Sequence, residues 1–259
     1  MNEKTRVQIE NMKKQTIGVE IEFNGMTREK AAGVVAKHFG TEPYYAAAEY
    51  GYMTWACHDN LGRVWKIQRD VSIEGPDSEK CELVTPILTY DDMETLQQIA
   101  RAIRLDDYRQ RRYCQIVDRD FLNRLNTSKP KTFEAMQRLW YNGMDGSRQH
   151  YNYSRYHMLN LHATWSKGTI EFRLFQFAEA GNGRKGGIHA GELKAYIQLC
   201  LAMSELAKEL RYASPKPQQT DNEKYAFRCW MLRLGFIGKE FATAREILLR
   251  NMEGNAAWR

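Results

Sequence analysis

The stretch Gly18-Val19-Glu20-Ile21-Glu22-Phe23 alternates apolar and polar side chains with a period of two residues. This period predicts a β-strand, because successive side chains of a strand point to opposite faces of a sheet. The three apolar residues would face the core, whereas Glu20 and Glu22 would share the opposite face.

A second stretch, Thr169-Ile170-Glu171-Phe172-Arg173-Leu174-Phe175, shows the same alternation. It predicts another strand, on which Glu171 and Arg173 share one face. Both predicted strands therefore combine a core-like face with a charged face.

Acidic residues on such strands are costly to desolvate unless a cation or an arginine neutralises them. The pattern therefore indicates a catalytic or metal-binding face. A strand with one face in water alternates in the same way without any function, so a solvated face is the alternative. Glu20 beside Glu22 favours the functional explanation, because like charges on one face repel each other.

Composition limits the class of protein. With 259 residues, of which 43% are hydrophobic, the chain can form one large domain or a domain with an appendage. No apolar run is long enough to span a bilayer, and the polar segment from Met1 to Arg6 does not resemble a secretion signal. The five cysteines include no CxxC pair, which predicts a reducing, cytoplasmic location rather than disulfides or a zinc site. The net charge of +6 is typical of a protein with an anionic partner, such as nucleotide phosphates or nucleic acid.

Helix and strand signals are mixed along the chain, which predicts an α+β fold with a largely antiparallel sheet. A polar N-terminal segment leads into the first strand. The next prediction is a helix from Thr27 to Phe39 that ends at Gly40, followed by antiparallel strands within residues 44–84. A buried stripe of a further helix is marked by Met93, Leu96, Ala100 and Ile103.

The second half of the chain predicts more helices around one hairpin. Tyr108 to Leu125 is rich in arginine and predicted to be helical, and Thr132 would cap the next helix. Residues 156–175 predict a hairpin that turns at Ser166-Lys167-Gly168. A long, mostly buried helix follows, with Leu193 and Leu210 on its apolar face. Two domains are predicted: a ligase-like α+β domain, 1–212, and a helical C-terminal extension, 213–259. Residues 215–219 form a linker at the start of the extension, and Thr220 and Glu223 predict a capping box for the helix that follows.

The candidate site consists of carboxylates and basic side chains. Several carboxylates without clustered cysteine and histidine favour hard cations such as Mg²⁺ over zinc. Mg²⁺ together with guanidinium groups is what phosphoryl transfer requires. The main candidates are Glu20, Glu22, Glu82, Glu171 and Arg173, and the lesser ones are Lys66, Asp70, Arg155, Asn160 and His162.

Five segments in this order resemble the amidoligase family of the carboxylate–amine ligase superfamily, whose fold is like that of glutamine synthetase. Together with the C-terminal helices, the resemblance covers most of the chain. The segments are Ile17 to Phe23, Cys81-Glu82-Leu83-Val84-Thr85-Pro86, Ser154 to His162, Gly168 to Phe175, and His189 to Tyr196.

The resemblance implies an antiparallel sheet of the glutamine-synthetase-like type and an ATP- and Mg²⁺-dependent ligase. Such an enzyme joins a small-molecule or peptide carboxylate to an amine through an acyl phosphate. The implied Mg²⁺ ligands are Glu20, Glu22 and Glu82. The implied catalytic residues are Arg155, Asn160, Glu171 and Arg173, and the implied ATP-binding residues are Lys66, Arg155, His162 and Arg173.

One feature departs from the family pattern. Family members usually carry a Gly-x-His-x-His strand between the helix that ends here near Arg104 and the segment that begins at Tyr113. This chain passes from Arg104 directly to Leu105-Asp106-Asp107-Tyr108-Arg109, with no such strand. The alternative function is therefore a shortened, catalytically inactive relative that binds a protein or nucleic acid.

Three other features carry less weight. His157 and His162 would point to opposite faces of one strand and could not share a metal ion. His189-x-x-Glu192 has the metal-ligand spacing of a helix, but a helix start explains it equally well. The glycine-rich segment 181–187 lacks P-loop spacing and predicts a surface loop.

An arginine cluster could form a nucleic-acid face, with Tyr108 and Tyr113 available to stack on bases. Interleaved aspartates favour an ordinary solvated helix instead, which makes nucleic acid the less favoured partner. The cluster consists of Arg101, Arg104, Arg109, Arg111, Arg112, Arg119 and Arg124.

Overall fold

Five antiparallel strands form the main sheet in a computed structural model that describes residues 1–103, 114–177, 187–214 and 219–257. The order of the strands is β1-β5-β4-β3-β2, and two further strands, β6 and β7, form a small antiparallel sheet. The predicted α+β fold with an antiparallel sheet is confirmed, and its glutamine-synthetase-like type stays a prediction. The strands are β1 (Glu20–Phe23), β2 (Tyr44–Tyr45), β3 (Trp55–His58), β4 (Val64–Arg69), β5 (Cys81–Val84), β6 (Leu159–Asn160) and β7 (Glu171–Phe172).

The described residues also form ten α-helices and several 3-10 turns. None of these helices is both long and apolar enough to cross a membrane. The helices are α1 (Glu3–Lys13), α2 (Arg28–Phe39), α3 (Ala47–Tyr50), α4 (Met93–Ile103), α5 (Arg119–Ser128), α6 (Phe133–Trp140), α7 (His162–Lys167), α8 (Ala190–Glu209), α9 (Glu223–Arg233) and α10 (Ala242–Leu249).

Contacts divide the chain into two units. The first unit comprises Met1–Tyr108, Gln176–Leu210 and Thr220–Arg259, and the second comprises Arg109–Phe175 and Arg211–Gln219. The first unit contains the main sheet and the second contains the small one. The division at residue 212 that the sequence suggests stays a prediction.

In the first unit, one face of the sheet is buried beneath helices. Ile21, Phe23 and Leu83 are at most 3% exposed on that face. Helix α2 packs against β3 and β4, and α4 packs against α2 and α8. Alanines at 31, 32 and 36 of α2 are fully buried, and their small side chains allow the helix to approach the sheet closely. The opposite face of the sheet carries Glu20 and Glu22.

The ends of α2 follow the sequence signals. The Thr27 side chain accepts a hydrogen bond from the Lys30 amide at the start of the helix. Gly40 ends the helix with a φ of 68°, a left-handed conformation that glycine adopts without a steric penalty. The predicted buried stripe of α4 is also confirmed, since its four residues are at most 4% exposed.

Helix α1 was not predicted. Only Gln8 and Met12 of this helix are buried, so its sequence lacks the apolar stripe that marks an amphipathic helix. Buried Met12 and two polar contacts position the helix: the Gln8 amide donates to the Arg233 carbonyl oxygen at 3.0 Å, and the Gln15 amide, just past the helix, donates to the Leu201 carbonyl oxygen at 3.0 Å.

The second unit is built around aromatic side chains. Phe121 of α5, Trp140 of α6 and Tyr141 are buried together. The rings of Phe121 and Trp140 meet edge to face, with their centroids 5.0 Å apart. Thr132 caps α6 as predicted, accepting from the Ala135 amide at 3.1 Å.

The predicted hairpin at residues 156–175 is partly wrong. The two strands exist and pair, with Asn160 opposite Glu171, but they are only two residues long. A short helix, α7, occupies the predicted turn. Gly168 ends this helix in a left-handed conformation, with a φ of 73°. The glycine therefore marks a helix end, which has the same sequence signal as a turn.

Two further details differ from prediction. The cap of α9 is Asn222, which accepts from the Tyr225 amide at 3.0 Å, whereas Thr220 accepts from the amide of Asn222 itself. Asparagine is at least as good a cap as threonine. The long helix α8 is confirmed, but its last turn and Leu210 are exposed.

Several predictions fall wholly or partly outside the described residues. These are the segment where the Gly-x-His-x-His strand of the family would lie (residues 104–113), the start of the arginine-rich stretch (residues 108–113 of 108–125), the glycine-rich loop (residues 181–186 of 181–187) and the linker (residues 215–218 of 215–219).

Leu83 provides a test of the two faces of the sheet. It is fully buried on the central strand β5, whereas its neighbour Val84 lies half-buried on the other face. We expect Leu83→Ala to lower the free energy of unfolding by about 2–5 kcal/mol, because it leaves a cavity, and Val84→Ala to cost clearly less. Urea denaturation followed by circular dichroism measures both, and equal losses would contradict this assignment of faces.

Candidate functional site

Three carboxylates meet on the open face of the main sheet. One oxygen from each of Glu22, Asp70 and Glu82 lies within 4.8 Å of the other two. All three residues are half-buried. This set, here called the carboxylate cluster, is the one group among the described residues in which three potential ligands approach closely enough to hold a metal ion.

Strand register explains the carboxylate cluster. Glu22 of β1 lies directly opposite Glu82 of β5, and Gln68 of β4 lies on the other side of Glu82. Asp70 directly follows Arg69, the last residue of β4, and its carboxylate reaches those of Glu22 and Glu82. The amide of Ser72 donates to an Asp70 oxygen at 2.7 Å, which fixes the aspartate in a tight turn.

Glu20 and Lys66 lie on the same face, one pleat away. Glu20 is exposed and opposite Val84, which in turn is opposite Lys66. The Lys66 ammonium lies 5.0 Å from the centroid of the Tyr50 ring, a cation–π distance. Glu20 is not part of the carboxylate cluster, and the predicted roles of Glu20 and Lys66 stay predictions.

A strained turn borders this face. Tyr52 and Met53 have φ values of 50° and 49°, and the Thr54 amide donates to the Gly51 carbonyl oxygen at 3.1 Å. These positive φ values are typical of a type I′ turn, which normally carries Asn and Gly. The Tyr52 carbonyl accepts from the amide of Arg69, the residue before Asp70, at 2.9 Å.

In the second unit, Glu171 binds two predicted site residues. One Glu171 oxygen accepts from the Asn160 amide and the other from the Arg173 guanidinium, both at 2.8 Å. The Asn160 side chain is buried, and its own oxygen accepts from the Ala163 amide at 3.4 Å. Arg173 neutralises the glutamate, so this carboxylate is available as an oriented acceptor rather than as an isolated charge.

Arg155 is held by aromatic rings. Its guanidinium lies 5.4 Å from the Tyr151 ring and 5.8 Å from the Tyr156 ring, and donates to the His150 carbonyl oxygen at 3.2 Å. Stacking of this kind leaves several guanidinium N–H groups available for a ligand.

His162 occupies a different position from the one predicted. It is the first residue of α7 rather than a strand residue. The prediction that His157 and His162 lie on one strand and point to its opposite faces is therefore wrong. The side chain is buried, and its Nδ1 lies 2.5 Å from the Tyr141 hydroxyl. Burial lowers the pKa of His162, and the positive charge of Arg155 adds to the effect. Burial also raises the pKa of Tyr141 to about 12, so we assign the hydroxyl as the donor.

The residues that sequence reasoning underrated have weak sequence signals. Asp70 follows the end of its strand and was only a lesser candidate, although continuing the alternation Lys66, Gln68, Asp70 identifies it. Tyr141 gave no signal. Glu192 of the His189-x-x-Glu192 pair is buried and forms a salt bridge with Arg250, which supports a structural role.

Two segments of the chain, residues 13–108 and 104–204, match a protein family described as "putative amidoligase enzyme". Together they span most of the chain, so the protein belongs to this family. The family resemblance inferred from the five sequence segments is confirmed. No curated protein and no solved structure shows a significant match to the chain.

The carboxylate cluster predicts divalent-cation binding. We expect Mg²⁺ or Mn²⁺ to bind the protein. Asp70→Asn and Glu82→Gln should each weaken the metal affinity at least about tenfold, because mutating residues that only hydrogen-bond to a metal ligand already causes a loss of that size. Isothermal titration calorimetry measures the affinity. Glu42→Gln, an exposed position in the same unit, is the matched control.

Glu20→Gln separates the two ligand sets. An unchanged affinity supports Glu22, Asp70 and Glu82, whereas a loss as large as that of Glu82→Gln supports the sequence-based set Glu20, Glu22 and Glu82. Wild-type affinity in both Asp70→Asn and Glu82→Gln would contradict a metal site.

His162 predicts a pH dependence of stability. Because its pKa in the folded state lies below the ordinary value of 6.5, the unfolded chain binds a proton first as the pH falls. The stabilisation is therefore complete above pH 6.5 and is lost as the pH decreases toward the lowered pKa. Urea midpoints measured from about pH 8 to about pH 5 should fall more steeply for the wild type than for His162→Gln. Equal slopes would contradict this.

Proposed function

We propose that the protein is an ATP- and Mg²⁺-dependent carboxylate–amine ligase that forms an amide bond through an acyl phosphate. The observation that supports this most directly is the carboxylate cluster, found on an open sheet face in a chain of the amidoligase family. The substrates would be a small-molecule or peptide carboxylate and an amine.

The donor set fits the metal. Glu22, Asp70 and Glu82 offer only carboxylate oxygens, which hard cations such as Mg²⁺ prefer, and none of the three is a histidine or cysteine that would favour zinc. These residues would hold the ion, with Glu20 as a further candidate on the same face. Mg²⁺ bound there would neutralise charge on the phosphate oxygens of ATP.

The basic residues have separate roles in this proposal. Lys66 lies on the face that carries the carboxylate cluster, where its ammonium would attract a phosphate. Arg173 and Arg155 would donate to the transferred phosphoryl group, and Glu171 and Asn160 would hold Arg173 and the substrate in position. His162 is buried, and burial lowers its pKa, which favours the uncharged imidazole and suits a hydrogen-bonding role better than an ionic one.

The proposed reaction has two steps. An oxygen of the substrate carboxylate attacks the γ-phosphorus of ATP, the bond to the bridging oxygen breaks, and ADP leaves with the acyl phosphate as the other product. The amine then attacks the acyl carbon, inorganic phosphate leaves, and the nitrogen loses a proton to become the amide. Positive charge near the phosphates would stabilise both leaving groups.

We also propose a cytoplasmic location. All five cysteines of the chain are free, and burial raises the pKa of Cys57, Cys81 and Cys200 to about 12. Protonated, buried thiols of this kind suit a reducing compartment.

The ligase predicts nucleotide binding that needs the metal. We expect ATP with Mg²⁺ to release heat in calorimetry, and chelation of Mg²⁺ or Glu82→Gln to abolish it. Arg173→Lys keeps the positive charge but loses the planar guanidinium with its paired donors. We therefore expect the rate of ADP formation, measured with a mixture of carboxylates and amines, to fall at least about tenfold. The Glu42→Gln variant controls for the change in charge.

An isotope label tests the acyl phosphate. With an ¹⁸O-labelled carboxylate substrate, one labelled oxygen should appear in the inorganic phosphate. No heat at millimolar ATP and Mg²⁺ would rule out the ligase and favour an inactive relative that binds a protein or nucleic acid.

A further inference from the structure

A groove runs between α5 and α6 of the second unit. Its volume is about 450 Å³, within the range that small-molecule sites occupy. Helix α6 contributes Ala135, Arg138 and Leu139, which follow the spacing i, i+3, i+4 of one helix face, and Asn142 lies just past the end of the helix. Helix α5 contributes Arg124 and Ser128, spaced i, i+4. The groove therefore lies between residues of two helices and is completed by Pro130, Asn142 and Gly143 from the segments that follow them.

The groove is positively charged. Arg124 and Arg138 both line it, and none of the described residues that line it is acidic. The Nε atom of Arg124 is buried and has no hydrogen-bond partner. A buried donor without a partner costs free energy that the fold must offset elsewhere, and the cost is larger for a charged group.

Helix structure alone does not explain this arginine. A basic residue in the last turn of a helix interacts favourably with the carbonyl ends, which accounts for Arg138 near the end of α6. Arg124 precedes the last turn of α5. Other buried polar side chains of the second unit have partners, as the pairs Asn160–Glu171 and Tyr141–His162 show, although the buried Nε1 of Trp165 also lacks a hydrogen-bond partner.

We propose that this groove binds a small oxyanion, a carboxylate or a phosphate monoester, that carries an apolar arm. The guanidinium of Arg124 would donate to the anion, Arg138 would add the second charge, and the arm would lie against Ala135 and Leu139. A planar guanidinium donates to either oxyanion in a paired geometry. This proposal uses no residue of the carboxylate cluster and does not depend on the ligase activity.

Calorimetry of the full chain with phenyl phosphate and with benzoate, in the presence of EDTA, tests the proposal. We expect saturable binding of at least one probe, and the tighter probe identifies the oxyanion. Arg124→Gln should weaken it about tenfold or more, the typical effect of losing a hydrogen bond to a charged group. Inorganic phosphate and acetate should bind more weakly than the probes if the apolar arm contributes.

Arg119→Gln is the matched control, because Arg119 is exposed on the same helix and does not line the groove. Arg138→Gln repeats the test should Arg124→Gln fail to fold. Retained affinity in Glu82→Gln would separate this site from the proposed ATP site. The proposal would be overturned if neither probe bound at about 10 mM, which corresponds to a binding free energy weaker than about 3 kcal/mol. Equal losses of probe affinity in Arg119→Gln and Arg124→Gln would also overturn it.

Discussion

The pairing of β1 with β5 is the constraint on which the candidate metal site depends. It places Glu22 directly opposite Glu82, where like charges destabilise an antiparallel pair. The pairing of β5 with β4 then brings in Asp70 from a third segment of the chain. Because side chains alternate along each strand, a shift of register by one residue would move these carboxylates to the covered face and Leu83 to the open one. The buried apolar face therefore fixes the register, and the register fixes the carboxylate cluster.

In the second unit, a partly buried carboxylate is neutralised by a basic side chain of the protein itself. Glu171 of β7 is neutralised by Arg173, which lies just past the end of that strand, and accepts from Asn160 on the paired strand. The main sheet instead gathers three acidic side chains, the arrangement that a divalent cation satisfies. The two units therefore hold their acidic side chains in different ways: one by an internal ion pair, the other as a group of three carboxylates.

Elements with a clear period or a sharp end could be predicted from the sequence. Strand β1, helix α2 with Thr27 and Gly40, and the stripe of α4 belong to this group, because burial of one face leaves its period in the residues. Helix α1 could not, since it buries only Gln8 and Met12 and so carries no apolar stripe. Helix α7 is too short for a period, and Gly168 has the same signal in a turn as at a helix end. For the site, Glu22 and Glu82 were predicted from their strands. The alternation from Lys66 through Gln68 to Asp70 indicates only which face Asp70 shares, and its proximity to the two glutamates depends on the pairing of β4 with β5.

The turn at Gly51–Thr54 has a consequence for engineering. Tyr52 and Met53 adopt a left-handed backbone conformation that costs roughly 1–2 kcal/mol for each residue with a side chain, and both side chains are exposed. The protein therefore gives up stability at a surface position beside the residue that precedes Asp70. Asparagine and glycine at these two positions would relieve the backbone without altering any carboxylate. This makes the turn a natural starting point for a more heat-tolerant version of the protein.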